Sequence, residues 1–156
     1  MSDHTHSDTL KIEALLVRYA TAIDTRQWDL FRSCFTENCN LDYGPIGHWD
    51  NREAVTQYMI QAHSGPSLHR LSNFAISVDG DRASARCYVD ALVYGPKALG
   101  CANAIGYYED TLILNAQGWQ IDKRRFTAIR MKFLGLLFFI PSKLIMRLAA
   151  LNARRW

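Results

Sequence analysis

An acid and an imidazole, Asp24 and His69, stand 45 positions apart in this chain and are the residues best suited to do chemistry. A carboxylate that accepts one ring N–H of a histidine fixes its tautomer. The other ring nitrogen is then left as a general base working near neutral pH. No cofactor motif competes with the pair: there is no glycine-rich phosphate loop and no G-x-S-x-G elbow. His48, His63 and His69 lack metal-ligand spacing on one element, so no metal and no cofactor are expected. His48 and His63 read as surface or turn residues, and the histidines of the N-terminal stretch Ser2–Asp8 as part of a frayed polar tail.

The elements that must hold the pair follow from the hydrophobic period. Ile12, Leu15, Leu16, Tyr19 and Ile23 form one stripe of a helix over 9–24, and Leu16, Ala20 and Asp24 follow at intervals of four. A second helix carries Trp28, Phe31 and Phe35, and Leu41-Asp42-Tyr43 reads as a short strand stopped by Gly44-Pro45. A third helix follows Asp50, which takes the cap place of a capping box, and ends at His63-Ser64-Gly65-Pro66. From His69 onward the period changes to two, predicting strands over 69–78, 82–94, 103–114 and 119–133. Asp79-Gly80 is a strong hairpin signal, and Asn115-Ala116-Gln117-Gly118 is a second turn. Helices first and a long meander after them predict an α+β domain with the helices on one face of a curved sheet.

Length and composition bound the rest. The 156 residues suffice for one domain with a sizeable core, and an apolar content of 49% excludes a disordered chain. The net charge of +3 conceals an asymmetry: nine Lys and Arg and no acid follow Asp122, while the remainder sets nine bases against 15 acids. RNA-binding signatures with stacking aromatics are absent, so this basic end reads as a solvated face and no nucleic acid is expected. Cys34, Cys39, Cys87 and Cys101 form no C-x-x-C pair and read as small buried hydrophobes in a reducing compartment. No signal-peptide core opens the chain, which makes the cytoplasm the expectation. The apolar run 134–140 is too short to span a bilayer. Pro141 would start a final helix, for which a pocket lid or dimer contact, core packing and an interfacial membrane helix compete.

The chain resembles the SnoaL-like group of the nuclear transport factor 2-like superfamily. The likeness rests on Arg18-Tyr19-Ala20-Thr21-Ala22-Ile23-Asp24, Gln27-Trp28-Asp29-Leu30-Phe31 and Leu41-Asp42-Tyr43-Gly44. It continues through the His69 strand, Val78-Asp79-Gly80-Asp81-Arg82-Ala83 and Gly118-Trp119-Gln120-Ile121. The fold it implies is a cone-shaped α+β barrel, three N-terminal helices on a curved, mostly antiparallel sheet, with a deep pocket. The core would cover about 9–133 and a helical C-terminal tail 134–156.

Within that group the pattern is most similar to cofactor-free dehydratases, those acting on bile acids and on scytalone, and to hexachlorocyclohexane dehydrochlorinase. The resemblance implies a lyase in which His69 is the base and Asp24 its partner. Tyr19 or Tyr43 would donate to a carbonyl or a departing hydroxyl. It also implies a further acid, falling on Asp90 unless the register slips to Ala91, and a pocket arginine that is Arg124, Arg125 or Arg130. The expected partner is a hydrophobic ring compound, and a homo-oligomer, dimer or trimer, is expected. An isomerase or cyclase using the same pair, and a non-catalytic binding module, are the alternatives.

Overall fold

The computed structural model describes residues 2–95 and 100–134. Three helices come first: α1 (Ser2–Thr25), α2 (Trp28–Ser33) and, after two strands, α3 (Arg52–Ala62). The strands are β1 (Phe35–Asp42), β2 (His48–Trp49), β3 (Ser67–Asp79), β4 (Arg82–Tyr94), β5 (Cys101–Asn115) and β6 (Gly118–Leu134). They form one six-stranded sheet in the order β2-β1-β6-β5-β4-β3. All neighbours are antiparallel except β1 and β6, which run parallel. This is the α+β arrangement expected from the sequence, with the helices on one sheet face.

The four long strands lie where the period-two pattern places them, each within two residues at either end. Gly80 adopts φ +60° in the β3–β4 turn, a conformation that a side chain with a Cβ resists. Three local expectations are corrected. The first helix starts at Ser2, so the N-terminal segment is helical where a frayed tail was expected. Phe35 leaves α2 and opens β1, a strand of eight residues where only Leu41-Asp42-Tyr43 read as extended. Glu37, Asn38 and Asn40 are weak strand formers, and pairing with β6 overrides that preference. The cap of α3 is Asn51, whose side chain accepts from the Ala54 amide, while Asp50 bonds His48 and Asn40 outside the helix.

Burial alternates along the strands and shows which face meets the helices. On β4, Ala83, Ala85, Cys87, Val89 and Ala91 point inward. Two irregularities in the β5–β6 pairing, at Asp122 and Ile129, shift the phase of β6. A third, between Ser72 and Ala75, shifts β3, and Asn73 there has φ +55°. Each inserts a residue and turns the following side chains to the other face. The core joins Ile12, Leu15, Leu16 and Ile23 of α1 to Phe31, Phe35, Leu112 and Ile121. Cys34, Cys39 and Cys87 are buried free thiols and Cys101 is half-buried, in keeping with their reading as small hydrophobes. The C-terminal stretch, where a helix from Pro141 was expected, lies outside the described residues. No helix among the described residues is long and apolar enough to cross a membrane.

Candidate functional site

The inner face of the sheet is lined near β4 and β5 by small side chains. Val89, Ala91, Ala102 and Ala104 do not fill the space below the helices, and a cavity of about 610 Å³ results. Tyr58 and Met59 of α3, Phe126 of β6 and the Pro45-Ile46 turn complete much of its apolar wall. Its polar lining comes from Tyr19, Tyr43, Tyr108, His63 and His69. Such a mostly apolar hollow with few polar groups is the usual form of a small-molecule site.

His69 sits on the inward phase of β3 and Asp24 at the end of α1, which packs on that strand. Asp24 Oδ1 lies 2.7 Å from His69 Nδ1. The same carboxylate accepts from the His69 backbone amide at 2.7 Å and from Ser67 Oγ at 2.9 Å. A carboxylate only accepts, so Nδ1 carries a proton, and in the neutral ring Nε2 is the nitrogen with the lone pair. The side chains are 6% exposed for His69 and 17% for Asp24. Burial works to raise the Asp24 carboxyl, but the bonds from the His69 ring, the His69 amide and Ser67 outweigh it. The net shift is below the usual carboxylate range, so the acid is ionised at neutral pH. Three donors hold this carboxylate, which fixes the imidazole in position and tautomer.

The phenols form a second group. Tyr19 and Tyr43 share a hydrogen bond of 2.9 Å between their hydroxyls. Two hydroxyls bring two protons, and one suffices for that bond. Tyr108 is a further hydrogen-bonding neighbour of Tyr19, so the three phenols form one polar group on the cavity wall. Burial pushes the Tyr19 and Tyr43 pKa values well above the ordinary 10. Both phenols are therefore neutral hydrogen-bond donors at physiological pH and not bases.

Arg124 supports these rings from behind. Its guanidinium lies 4.1 Å from the ring centres of both Tyr19 and Tyr108. It donates from Nε and Nη2 to the two Asp110 oxygens at 2.7 Å each, with side chains 0% and 1% exposed. The arginine is thus inside the barrel but does not line the cavity, and its charge is matched by Asp110. It can act on a bound molecule only through the tyrosines.

Two expected site residues are placed elsewhere. Asp90 is on the outer face of β4, bonded to Arg70 at 3.0 Å and to Asn103 at 3.0 Å; its neighbour Ala91 lines the cavity and is paired with His69. The alternation of β4 decides this, since Val89 and Ala91 face in. Arg130 is also outside, donating to the Asn103 side chain at 2.9 Å, because the irregularity at Ile129 turns Met131 and Phe133 to the cavity instead.

His63 corrects the reading in the opposite sense. It is 7% exposed and lines the cavity, with its ring centre 5.6 Å from that of His69. Arg26, at φ +57°, clamps the region by donating to the carbonyls of Asp24, His63 and Gly65. The Ser-Gly-Pro that follows His63 gave a turn signal, and a turn is compatible with burial when its backbone is capped in this way. Asp110 and Ser67 were also missed. Ser67 shares the phase of His69 two residues on, which period-two reasoning can detect. Among the described residues no group of three or more His, Cys, Asp or Glu is arranged to hold a metal.

Helices packed on one face of a mixed six-stranded sheet are the arrangement of the nuclear transport factor 2-like class of α+β domain. The chain belongs to the SnoaL-like domain family, whose model matches residues 4–125. An uncharacterized protein of Mycobacterium tuberculosis H37Rv is 34% identical over 125 residues, covering 76% of this chain and 83% of that one. Among solved structures, a candidate aromatic ring hydroxylase of Novosphingobium aromaticivorans superposes with a TM-score of 0.74 at 26% identity, over 84% of this chain and 94% of that one. A candidate scytalone dehydratase of the same species gives 0.75 at 22% identity, over 85% and 91%. A type 2 hexachlorocyclohexane dehydrochlorinase gives 0.72 at 16% identity, over 88% and 98%. The last two likenesses concern the fold.

Proposed function

We propose that this chain is a cofactor-independent lyase, a dehydratase that removes water from a hydrophobic ring compound such as a steroid, terpenoid or polyketide. The observation that carries the reading is the 2.7 Å Asp24–His69 contact at the wall of an apolar cavity. The SnoaL-like family and the dehydratase and dehydrochlorinase neighbours support a lyase of this kind.

In the proposed reaction His69 Nε2 takes a proton from the carbon next to a carbonyl. The C–H electron pair becomes the new C=C bond, and the C–O bond to the leaving hydroxyl breaks with its pair going to oxygen. The imidazolium returns the proton to that oxygen, so water leaves and the enzyme is restored. Asp24 stabilises the transient imidazolium and keeps the tautomer. Tyr19 or Tyr43 donates a hydrogen bond to the carbonyl as negative charge builds there, where low dielectric strengthens it. General-base catalysis supplies roughly 100- to 10,000-fold, and the phenols must supply the rest.

An isomerase or cyclase would use the same base and differ in where the proton goes. A non-catalytic module of this fold has no need of a held imidazole beside open space. The test is a screen of hydroxylated ring ketones, following new conjugated absorbance, with mass spectrometry to separate loss of water from rearrangement. Turnover is expected with the native chain and not with His69→Ala. Equal turnover in that variant rejects His69 as the base.

A further inference from the structure

The register of the sheet lays one row of cavity residues across four strands. His69 of β3 is paired with Ala91 of β4, Ala91 with Ala104 of β5, and Ala104 with Met131 of β6. All four line the cavity. Neighbouring strands lie about 4.8 Å apart, so the row from the base to Met131 spans up to about 14 Å. Between its two ends the row carries only two methyl groups.

The rows on either side are fuller. On one side Val93 is paired with Ala102 and Ala102 with Phe133, which sets two large side chains around one small one. On the other side Val89 is paired with Gly106, where an added Cβ would meet the Thr127 carbonyl and the Phe126 ring, so the space there is taken. The widest gap along the sheet is therefore the one that begins at His69. A ring over Ala91 has its edge one strand spacing from the imidazole, and a second fused ring continues over Ala104. Each further carbon seated there leaves water for close apolar contact, so affinity rises with the number of rings until the row is full.

We infer that Ala91 and Ala104 are specificity-determining residues of this cavity, whose methyl groups seat a fused ring system with its edge against His69. The cavity therefore selects compounds of two or more fused rings over single rings, and the small size of these two side chains sets that preference. The inference rests on the cavity being the substrate site proposed above, but not on the elimination chemistry. Ala91 and Ala104 touch the rings, whereas His69 touches the carbon that reacts.

The probes are 1-naphthol and phenol, which carry the same hydroxyl on two fused rings and on one. NMR titration of the full chain is expected to show naphthol bound roughly tenfold more tightly than phenol. The methyl resonances of Ala91 and Ala104 are expected to move upfield under the ring current of bound naphthol. Those of Ala83 and Ala85, inward on β4 but not part of the cavity wall, are expected to stay, and this readout does not depend on a variant folding. Ala104→Leu, at a half-buried position, extends a side chain into the row. It is expected to weaken naphthol roughly tenfold and phenol by no more than about threefold, so that the preference collapses. Unmoved Ala91 and Ala104 methyls at naphthol saturation, a preference that survives Ala104→Leu, or failure of naphthol to bind overturns the inference. None of these arms measures turnover, so seat and base fail separately: naphthol bound with unmoved methyls rejects the seat and leaves His69, whereas turnover kept in His69→Ala rejects the base and leaves the seat.

Discussion

Lowering the pH from 7 toward 4 should destabilise this fold chiefly through His63. The folded chain buries that imidazole beside His69, with Asp24 and Arg26 also acting on it, and its pKa falls to about 4 from an ordinary 6.5. Below pH 6.5 the unfolded chain takes up a proton that the folded chain refuses. The contribution is therefore complete above 6.5 and is lost as the pH falls, the loss levelling off near 4. At about 1.4 kcal/mol per pH unit, that gap caps the loss at about 3.5 kcal/mol, of which about 2.5 kcal/mol is gone by pH 4.5. Such an amount is a large fraction of a typical stability of about 5–15 kcal/mol. Asp24 acts in the same direction, but its lowered pKa places its loss beneath the ordinary carboxylate value of 3.8, below this window. Urea unfolding followed by tryptophan fluorescence, repeated across this range, measures the effect. His63→Gln removes the titrating group and should flatten the curve between pH 6.5 and 4 by the slope of one proton. Parallel curves for the native and substituted chains would refute the reasoning.

Two further outcomes follow from the same geometry. Asp24→Asn is expected to leave substrate binding little changed and to lower kcat by roughly 100-fold or more, because the amide no longer enforces the Nδ1–H tautomer; steady-state kinetics with a compound found by the ketone screen check this, and an unaltered kcat counts against the pair. Arg124→Met or Asp110→Leu alone should cost about 3–5 kcal/mol, since each strands a buried charge, whereas the double variant should recover much of that loss. Chemical unfolding of all three decides it, and a double variant as weak as the sum of the singles contradicts a mutually dependent pair.

The Asp24–His69 pair was legible because each residue sits at a mark that sequence patterns show well. Asp24 ends a clear apolar stripe, and His69 opens the change from helical to alternating period. Tyr19 and Tyr43 were legible as cavity residues through the family resemblance, yet their direct hydrogen bond was not. Asp90 and Arg130 misled for one reason: a strand has two faces, and a single inserted residue exchanges them. The irregularity at Asp122 brings Arg124 inside, and the one at Ile129 leaves Arg130 outside.

Local chemistry along the chain thus determined the element order, the Asp79-Gly80 and Asn115–Gly118 turns and the element ends on which Asp24 and His69 stand, because periods and turn preferences act within a few residues. Tertiary pairing decided the extent of β1, the burial of His63 and the matching of Arg124 with Asp110. Those outcomes depend on which surfaces meet: β6 extends β1 against weak propensity, and Arg26 caps a turn that would otherwise face water. An ion pair between side chains 14 positions apart in sequence forms because two strands lie side by side.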